Sequence, residues 1–217
     1  KIGYDESDSQ LLNRYWNDIF DSQRWSEGPF TVKFEEKWSE YNFRQSIAFS
    51  SWGGASLAAL EFINVKGRTV LCPSNTFMAT PLSVIKAGGN VEFVDCNKND
   101  LCMSCDDLKE KIGQYEPAAV WVVHIGGHIA FEIEEIAQLC KDKGIILLED
   151  CAHAHGALWK GKRAGSWGDA GVYSFYATKT VSTGEGGMLV TGNKDLVEFA
   201  KQYRNYGKFD YNVEGFN

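Results

Sequence analysis

The sequence predicts a three-layer α/β/α fold in which helices cover both faces of a mostly parallel, seven-stranded sheet. From about residue 46 onward, short apolar runs rich in β-branched residues alternate with longer segments of helical period. Several of these runs are apolar throughout, which is typical of strands covered on both faces. A chain of 217 residues is long enough to build one such domain around a sizeable core.

The alternating segments predict the individual elements. The segments expected to form seven strands are residues 47–50, 69–72, 91–95, 118–124, 145–149, 171–175 and 188–191. The segments expected to form five helices between them are residues 56–64, 79–87, 106–113, 133–143 and 194–203. Gly88, Gly89 and Gly144 favour helix ends at their positions, because glycine adopts the left-handed conformation at low cost.

The first 45 residues differ from the rest, since they carry many aromatic side chains among charged ones. We interpret residues 1–45 as an N-terminal helix and arm that lie on the main body or on a partner subunit. Residues 46–217 then form the main domain. Exposed aromatic surface of this extent is uncommon on a monomer, so we expect a homodimer.

Composition and charge narrow the class of protein. Hydrophobic residues make up 44% of the chain and charged residues 24%, which is typical of a folded globular protein. The net charge of −7 and the scattered basic residues argue against a nucleic-acid partner. No apolar run is long enough to span a membrane, and the first ten residues are polar. We therefore expect a cytoplasmic protein without a membrane partner.

The six cysteines are expected to be reduced thiols, because a chain of this size does not need disulfides for stability. Cys102 and Cys105 have the spacing of a zinc or redox pair. No second pair accompanies them, so we expect no metal there.

The most informative segment is residues 171–190, GVYSFYATKTVSTGEGGMLV. An apolar strand leads to Ser174 and Lys179, and a Gly-Glu-Gly-Gly turn leads into another apolar strand. A lysine on a short loop between two buried strands is partly desolvated, which makes its amine more available to form a Schiff base. Lys179 is therefore a candidate nucleophile, although the spacing alone favours an ordinary solvated lysine.

A second candidate site follows the strand expected at residues 145–149. Asp150 comes where that strand ends, the place at which open α/β sheets bind ligands, and its carboxylate could hold a protonated ring nitrogen. Cys151, His153 and His155 alternate along the chain, so an extended backbone would place them on one face as a zinc site. That zinc hypothesis leaves Asp150 without a role.

Residues 49–60, FSSWGGASLAAL, predict an anion site. A strand gives way to Gly53 and Gly54 and then to a helix, whose N-terminal amides and dipole attract anions. The segment carries neither a nucleotide P-loop motif nor a dinucleotide-binding fingerprint. A tight start of the helix would also explain the glycines.

These three segments offer an anion site, a carboxylate for a ring nitrogen and a lysine for an aldehyde, which are the groups that pyridoxal 5′-phosphate requires. The sequence also resembles the DegT/DnrJ/EryC1/StrS family of sugar aminotransferases, which have the type I aspartate aminotransferase fold. The motifs that carry the resemblance are GP at 28–29, FE at 34–35, PSNTFMAT at 73–80, VEFVD at 91–95, HIGG at 124–127, EDCAHAHG at 149–156, GSWGD at 165–169, residues 174–187 and RNYG at 204–207.

The resemblance implies a role for individual residues. Lys179 would form the Schiff base with pyridoxal phosphate, and Asp150 would pair with the ring nitrogen. His153 would lie near the phenolic oxygen of the cofactor. Phe77 would stack on its ring, and Ser174 would bind its phosphate.

Other positions depart from the family or lie at the end of the chain. Gly54 and Ala55 align with a Thr-Ala pair that binds phosphate in the family, but Gly54 offers only its backbone amide. Trp52 stands where the family has a small residue. Residues 215–217 resemble the start of a Gly-x-Asn-Tyr-Arg motif, which implies that Asn217 reaches the phosphate of the partner subunit. The family is longer, so we expect its C-terminal small domain to be absent from this chain.

The function that the resemblance implies is conversion of a nucleotide-linked keto sugar to an amino sugar, with glutamate as the amino donor. A sugar dehydratase of the same family is one alternative. That branch of the family has histidine at the position of Lys179, and this chain retains the lysine. A second alternative is a non-catalytic module that retains only the cofactor-binding face.

Overall fold

The computed structural model describes residues 3–208. The helices in this range are α1 (Glu6–Ser22), α2 (Pro29–Asn42), α3 (Trp52–Ile63), α4 (Ala79–Lys86), α5 (Cys105–Tyr115), α6 (Ile133–Lys143) and α7 (Lys194–Arg204). The strands are β1 (Gln45–Phe49), β2 (Thr69–Pro73), β3 (Asn90–Val94), β4 (Ala119–Val123), β5 (Ile146–Asp150), β6 (Leu158–Trp159), β7 (Lys162–Arg163), β8 (Ala170–Ser174) and β9 (Gly187–Thr191). A short 3₁₀ turn, Ile125–Gly127, follows β4.

The main sheet has seven strands in the order β1-β9-β8-β5-β4-β2-β3. Strand β9 runs antiparallel to both of its neighbours, and the other pairs are parallel. The prediction of a mostly parallel, seven-stranded sheet is thus confirmed. Because β1, β8, β5, β4 and β2 point the same way, they all end at one edge of the sheet, where such folds bind ligands.

Helices cover both faces of the sheet, so the predicted three-layer arrangement is also confirmed. Val120 and Val122 of β4 belong to one core cluster, which includes side chains of α5 and α6. Ala119 and Trp121 of the same strand belong to a second cluster on the opposite face, with side chains of α3, α4 and α7. This alternation follows from the two-residue period of a strand, and burial on both faces explains why the strands read as continuous apolar runs.

Helix α3 begins at Trp52 rather than at residue 56, so Gly53 and Gly54 lie inside its first turn. The Ser51 side chain caps the helix by accepting a hydrogen bond from the Gly54 N–H at 3.1 Å. We expected the glycines to precede the helix. A well-placed serine cap satisfies an amide that would otherwise lack a partner, which offsets the low helix propensity of glycine.

The first 45 residues contain two helices instead of the expected helix and arm. Helix α2 starts with Pro29, which is favourable in a first turn, and packs on β1. Its Trp38 is buried against Phe175, with ring centroids 4.9 Å apart. Helix α1, in contrast, has no buried side chain.

The two-residue strands β6 and β7 form a hairpin that the sequence did not predict. Lys160 and Gly161 both have positive φ at its turn, at 46° and 80°. Apart from this hairpin and the N-terminal region, each predicted element lies within a few residues of an observed one. No helix among residues 3–208 has both the length and the apolar character needed to cross a membrane.

Candidate active site

A cavity of about 570 Å³ opens at the carboxyl ends of β4, β5 and β8. Five residues that the sequence singled out line it: Phe77, Asp150, His153, Ser174 and Lys179. They come from three separate segments of the chain, and the parallel sheet brings them together. The cavity wall is mostly apolar around them, which suits a flat organic ligand held by a few polar groups.

Asp150 is the last residue of β5 and is almost fully buried at the floor of the cavity. One of its oxygens, Oδ2, accepts a hydrogen bond from the Thr80 hydroxyl at 2.8 Å, and Oδ1 accepts one from the Ala152 N–H at 3.0 Å. Burial raises the pKa of the Asp150 carboxyl because desolvation disfavours its charged form, and the two hydrogen bonds oppose this shift. No cationic side chain within residues 3–208 forms an ion pair with it. The carboxyl is therefore rigidly held and lacks a positive partner.

Glu149, the neighbour of Asp150, is fully buried, and its carboxylate accepts four hydrogen bonds. Its Oε1 accepts the N–H groups of Trp167 and Gly168, each at 2.7 Å. Its Oε2 accepts the Gly165 N–H at 2.7 Å and lies 2.9 Å from Nε2 of His124. The Ala130 N–H donates to Nδ1 of His124, so Nε2 carries the ring proton and donates it to Glu149. Glu149 thereby joins the ends of β4 and β5 to residues 164–168.

Ser174 and Lys179 lie on the opposite side of the cavity from β4, where β8 ends. The Ser174 oxygen accepts a hydrogen bond from the Tyr176 N–H at 3.3 Å, so its own proton is available to a phosphate oxygen. Lys179 is half-buried on the loop between β8 and β9, and its N–H donates to the Tyr176 carbonyl at 2.9 Å. At the other end of this loop, Gly186 (φ 157°) directly precedes the first residue of β9.

His153 lines the cavity between the two charged residues. Partial burial lowers its pKa, and the positive charge of Lys179 lowers it further, while Asp150 opposes the shift. His153 therefore faces the cavity as a neutral ring at physiological pH, able to donate or accept a hydrogen bond.

Gly54 and Ala55 are not brought to this cavity. The N–H of Gly54 is bonded to the Ser51 hydroxyl, and the N–H of Ala55 to the Ser51 carbonyl, at 3.3 Å. Trp52 does line the cavity, and its indole N–H donates to the Val172 carbonyl at 3.2 Å. The phosphate roles expected for Gly54 and Ala55 remain predictions, and Asn217 lies outside the described residues.

The structure does not support the zinc hypothesis for Cys151, His153 and His155. Both ring nitrogens of His155 are within hydrogen-bond distance of other groups, the Ser174 carbonyl and the Thr180 hydroxyl. The Cys151 thiol lies within 4.8 Å of ligand atoms of His124 and Glu149, and no such group among the described residues joins it to His153 or His155. Cys102 likewise lies 3.6 Å from His128 rather than in a cysteine pair, and burial raises its pKa to about 12.

Thr80 is a site residue that the sequence reasoning did not assign. It lies near the start of α4 and is buried, with its hydroxyl on Asp150. Its position at the end of the PSNTFMAT motif was the available signal, but the contact joins residues that are 70 positions apart.

Comparison with known proteins identifies the family. The model of the DegT/DnrJ/EryC1/StrS aminotransferase family matches residues 6–216. The chain belongs to this family. The resemblance inferred from the motifs is thereby confirmed.

Individual members of the family are similar over nearly the whole chain. GDP-perosamine synthase of Escherichia coli O157:H7 is 34% identical over 212 residues, which cover 94% of this chain and 57% of that protein. A UDP-4-amino-4,6-dideoxy-N-acetyl-beta-L-altrosamine transaminase of Campylobacter jejuni (strain 81-176) is 32% identical over 206 residues, which cover 94% of this chain and 53% of that protein. The crystal structure of NtdA from Bacillus subtilis with bound cofactor PMP matches 98% of this chain and 49% of its own, at 25% identity and a TM-score of 0.88. The chain spans about half the length of the relatives it matches.

The residues of the cavity fit pyridoxal phosphate on structural grounds alone. Asp150 is a buried carboxyl that forms no ion pair with any described residue, and a protonated ring nitrogen would supply a positive charge. Ser174 has a hydroxyl proton to donate, and Lys179 has an amine at the same cavity. Phe77 leaves 68% of its surface exposed at the cavity, where a flat ring would cover it.

Replacing Glu149 by glutamine should destabilise the protein by about 3–5 kcal/mol, as measured by urea unfolding. Each carboxylate oxygen of Glu149 accepts two hydrogen bonds, so the glutamine amide nitrogen would face donors in either orientation. Glu110→Gln on the exposed surface of α5 is the matched control, with an expected change below about 0.5 kcal/mol. A loss below about 1 kcal/mol for Glu149→Gln would contradict the importance given to this carboxylate.

Proposed function

We propose that the protein is a pyridoxal-phosphate-dependent aminotransferase that converts a nucleotide-linked keto sugar to an amino sugar, with glutamate as the amino donor. The observation that carries this proposal is the buried Asp150, without a cationic partner, in the same cavity as Lys179. Membership of the family and the matched synthase and transaminase support the reaction class. The two matched proteins carry different nucleotides in their names, GDP and UDP, so the proposal leaves the nucleotide open.

The cofactor is pyridoxal phosphate, and five residues of this chain would hold it. All five line the cavity. Ser174 would donate to the phosphate, and Phe77 would cover one face of the ring. Asp150 would pair with the ring nitrogen, His153 would lie near the phenolic oxygen and Lys179 would attach to the aldehyde. When bound, the cofactor supplies a carbon that bonds to amines and a ring that withdraws electrons from that carbon.

Lys179 moves the proton in the proposed reaction. Its amine would take the proton from Cα of the amino donor and pass it to the C4′ atom of the cofactor, and it would move a proton in the opposite direction when the sugar is aminated. Its position on a loop rather than in a strand gives the side chain the freedom to reach both atoms.

In the proposed reaction, Asp150 controls the electronic properties of the cofactor ring rather than the strength of binding. Its negative charge beside the ring nitrogen keeps that nitrogen protonated, which strengthens electron withdrawal from the reacting carbon. Thr80 and the Ala152 N–H fix the orientation of the carboxylate, so it needs no rearrangement during the reaction.

We also propose that the protein works as a homodimer. Leu82 and Ile85 are exposed on the outward face of α4, and Phe77 and Met78, which directly precede this helix, are exposed as well. Covering this apolar face with a second subunit would bury it, and Asn217 would then reach the partner's phosphate, as the family resemblance implies. All six cysteines are free, which fits a reducing compartment, and we propose a cytoplasmic location on that ground.

Lys179→Ala should abolish covalent attachment of pyridoxal phosphate, because no other amine is expected to lie at the cofactor aldehyde. The measurement is borohydride reduction of the full-length protein, followed by peptide mapping of the modified lysine. The exposed Lys98→Ala is the control and should retain the modification. A modified peptide that contains a lysine other than Lys179 would contradict the proposal, as would failure of the wild-type protein to transfer ¹⁵N from glutamate to any nucleotide-linked keto sugar.

Asp150→Asn should retain bound cofactor but lower kcat by roughly 10²–10³-fold, because the neutral amide does not stabilise a protonated ring nitrogen. The kinetics of amino transfer and the absorbance of bound cofactor measure the two effects separately. Asp142→Asn, an exposed change of the same chemistry on α6, should leave both unchanged. Wild-type turnover in the Asp150 variant would remove this carboxylate from the mechanism.

Leu82→Glu should weaken or abolish dimer formation, because it places a charge on the apolar face of α4. Light scattering of the full-length protein at micromolar concentration measures the mass. Leu158→Glu, on the exposed β6–β7 hairpin, is the control and should remain dimeric. A monomeric mass for the wild-type protein with cofactor bound would overturn the proposed assembly.

A further inference from the structure

The loop that carries Lys179 is bonded mainly within itself and to the adjoining strand residues, with a further bond from the Tyr4 hydroxyl to the Ser182 carbonyl at 2.7 Å. It leaves β8 after Ser174 and returns through the glycine turn into β9. Near its ends, the Thr183 N–H donates to the Phe175 carbonyl at 3.0 Å, and the Lys179 N–H donates to the Tyr176 carbonyl at 2.9 Å. These bonds join the loop to its own flanks, so they do not by themselves fix the position of Lys179 relative to the rest of the cavity.

His155 supplies a connection between this loop and the sheet from a different segment. Its Nε2 lies 2.8 Å from the backbone carbonyl of Ser174, and its Nδ1 lies 3.2 Å from the hydroxyl oxygen of Thr180. A carbonyl only accepts hydrogen bonds, so Nε2 must carry the ring proton. Nδ1 is then unprotonated and accepts the proton of the Thr180 hydroxyl. Both ring nitrogens of His155 thus form hydrogen bonds, one to Ser174, which precedes Lys179, and one to Thr180, which follows it.

The ring of His155 is held in a fixed orientation by aromatic neighbours. Trp38, Tyr173 and Phe175 surround it, with ring centroids 6.1, 5.4 and 5.3 Å away. Burial lowers the pKa of His155 to about 4, and the charge of Lys179 acts in the same direction. The ring therefore stays neutral at physiological pH, and it keeps one nitrogen as a donor and the other as an acceptor.

We propose that His155 is a positioning residue that, through Thr180, sets the distance between Lys179 and Ser174. It rests on the proposed function, in which Lys179 is the point of covalent attachment and Ser174 binds the phosphate of the same cofactor. The aldehyde and phosphate of pyridoxal phosphate are a fixed distance apart, so the amine must be held at a matching distance from the serine. His155 bonds to the Ser174 carbonyl and to the residue after Lys179, and so couples the two positions.

The test uses Thr180→Val, which removes the hydroxyl at nearly constant volume, and Thr180→Ser, which keeps it. Added pyridoxal phosphate should attach to Lys179 of the full-length apo-protein roughly five- to tenfold more slowly in the valine variant, corresponding to one lost hydrogen bond. The serine variant should stay within about twofold of wild type. Stopped-flow absorbance measures the rate, and unfolding of the apo-proteins in urea checks that both variants keep wild-type stability within about 1 kcal/mol.

A second comparison tests the route through His155. Phenylalanine fits the aromatic surroundings of this ring, so His155→Phe removes both hydrogen bonds with little change in packing. If the effect of Thr180 passes through His155, the double variant should attach the cofactor no more slowly than His155→Phe alone. Fully additive effects would overturn the proposal. In the ¹⁵N spectrum of the apo-protein, His155 should show a protonated Nε2 and a bare Nδ1, and the opposite tautomer would also overturn it.

The outcomes separate this proposal from the one on which it rests. A wild-type protein that does not attach pyridoxal phosphate at Lys179 would overturn the proposed function and this inference together. Attachment at Lys179 in wild type, with an equal rate in Thr180→Val, would overturn the positioning role of His155 alone. The positioning role is supported if three results are found together. Attachment is slow in Thr180→Val, it is near the wild-type rate in Thr180→Ser, and the effects of the Thr180 and His155 substitutions are not additive.

Discussion

The four hydrogen bonds accepted by Glu149 are the interaction on which the arrangement of the cavity depends. They fasten the end of β5 to residues 164–168 and to His124 at the end of β4. Successive residues of a strand point to opposite faces, so fixing Glu149 on one face fixes Asp150 on the other. The buried Glu149 carboxylate is stabilised because both of its oxygens accept hydrogen bonds. Asp150 forms no ion pair with any described residue, so it suits a cationic ligand.

Strand β9 provides the second constraint. It is the antiparallel member of the sheet and pairs with β8, so the connection between them must turn back at the edge where β8 ends. Lys179 lies on that connection and therefore reaches the same edge as Asp150. His155 reaches the connection from the segment that follows β5, which links the placement of the lysine to the strand that carries Asp150. The chemical groups of the site are thus held together by the topology of the sheet first and by a few hydrogen bonds between distant segments second.

Much of this could be predicted from the sequence, because the strands are continuous apolar runs and the site residues follow them directly. Asp150 at the end of β5 and Lys179 before the glycine turn were identified on that basis. The start of α3 was missed because the Ser51 cap outweighs the low propensity of two glycines. The bonds of Thr80 to Asp150 and of His155 to Thr180 join distant segments, and no local pattern indicates them. Residues 1–45 were expected to form one helix and an arm. The second helix was missed because the aromatic residues of α2 face both the core and solvent, which hides its helical period.

The central claim is that the buried carboxylate of Asp150 receives the ring nitrogen of pyridoxal phosphate. The most direct measurement is a crystal structure of the full-length protein with pyridoxamine phosphate bound. The account predicts a ring nitrogen about 2.7–2.9 Å from an Asp150 oxygen, with the phosphate at the Ser174 hydroxyl. A cofactor bound in another cavity, or in this one with its ring nitrogen turned away from Asp150, would contradict it.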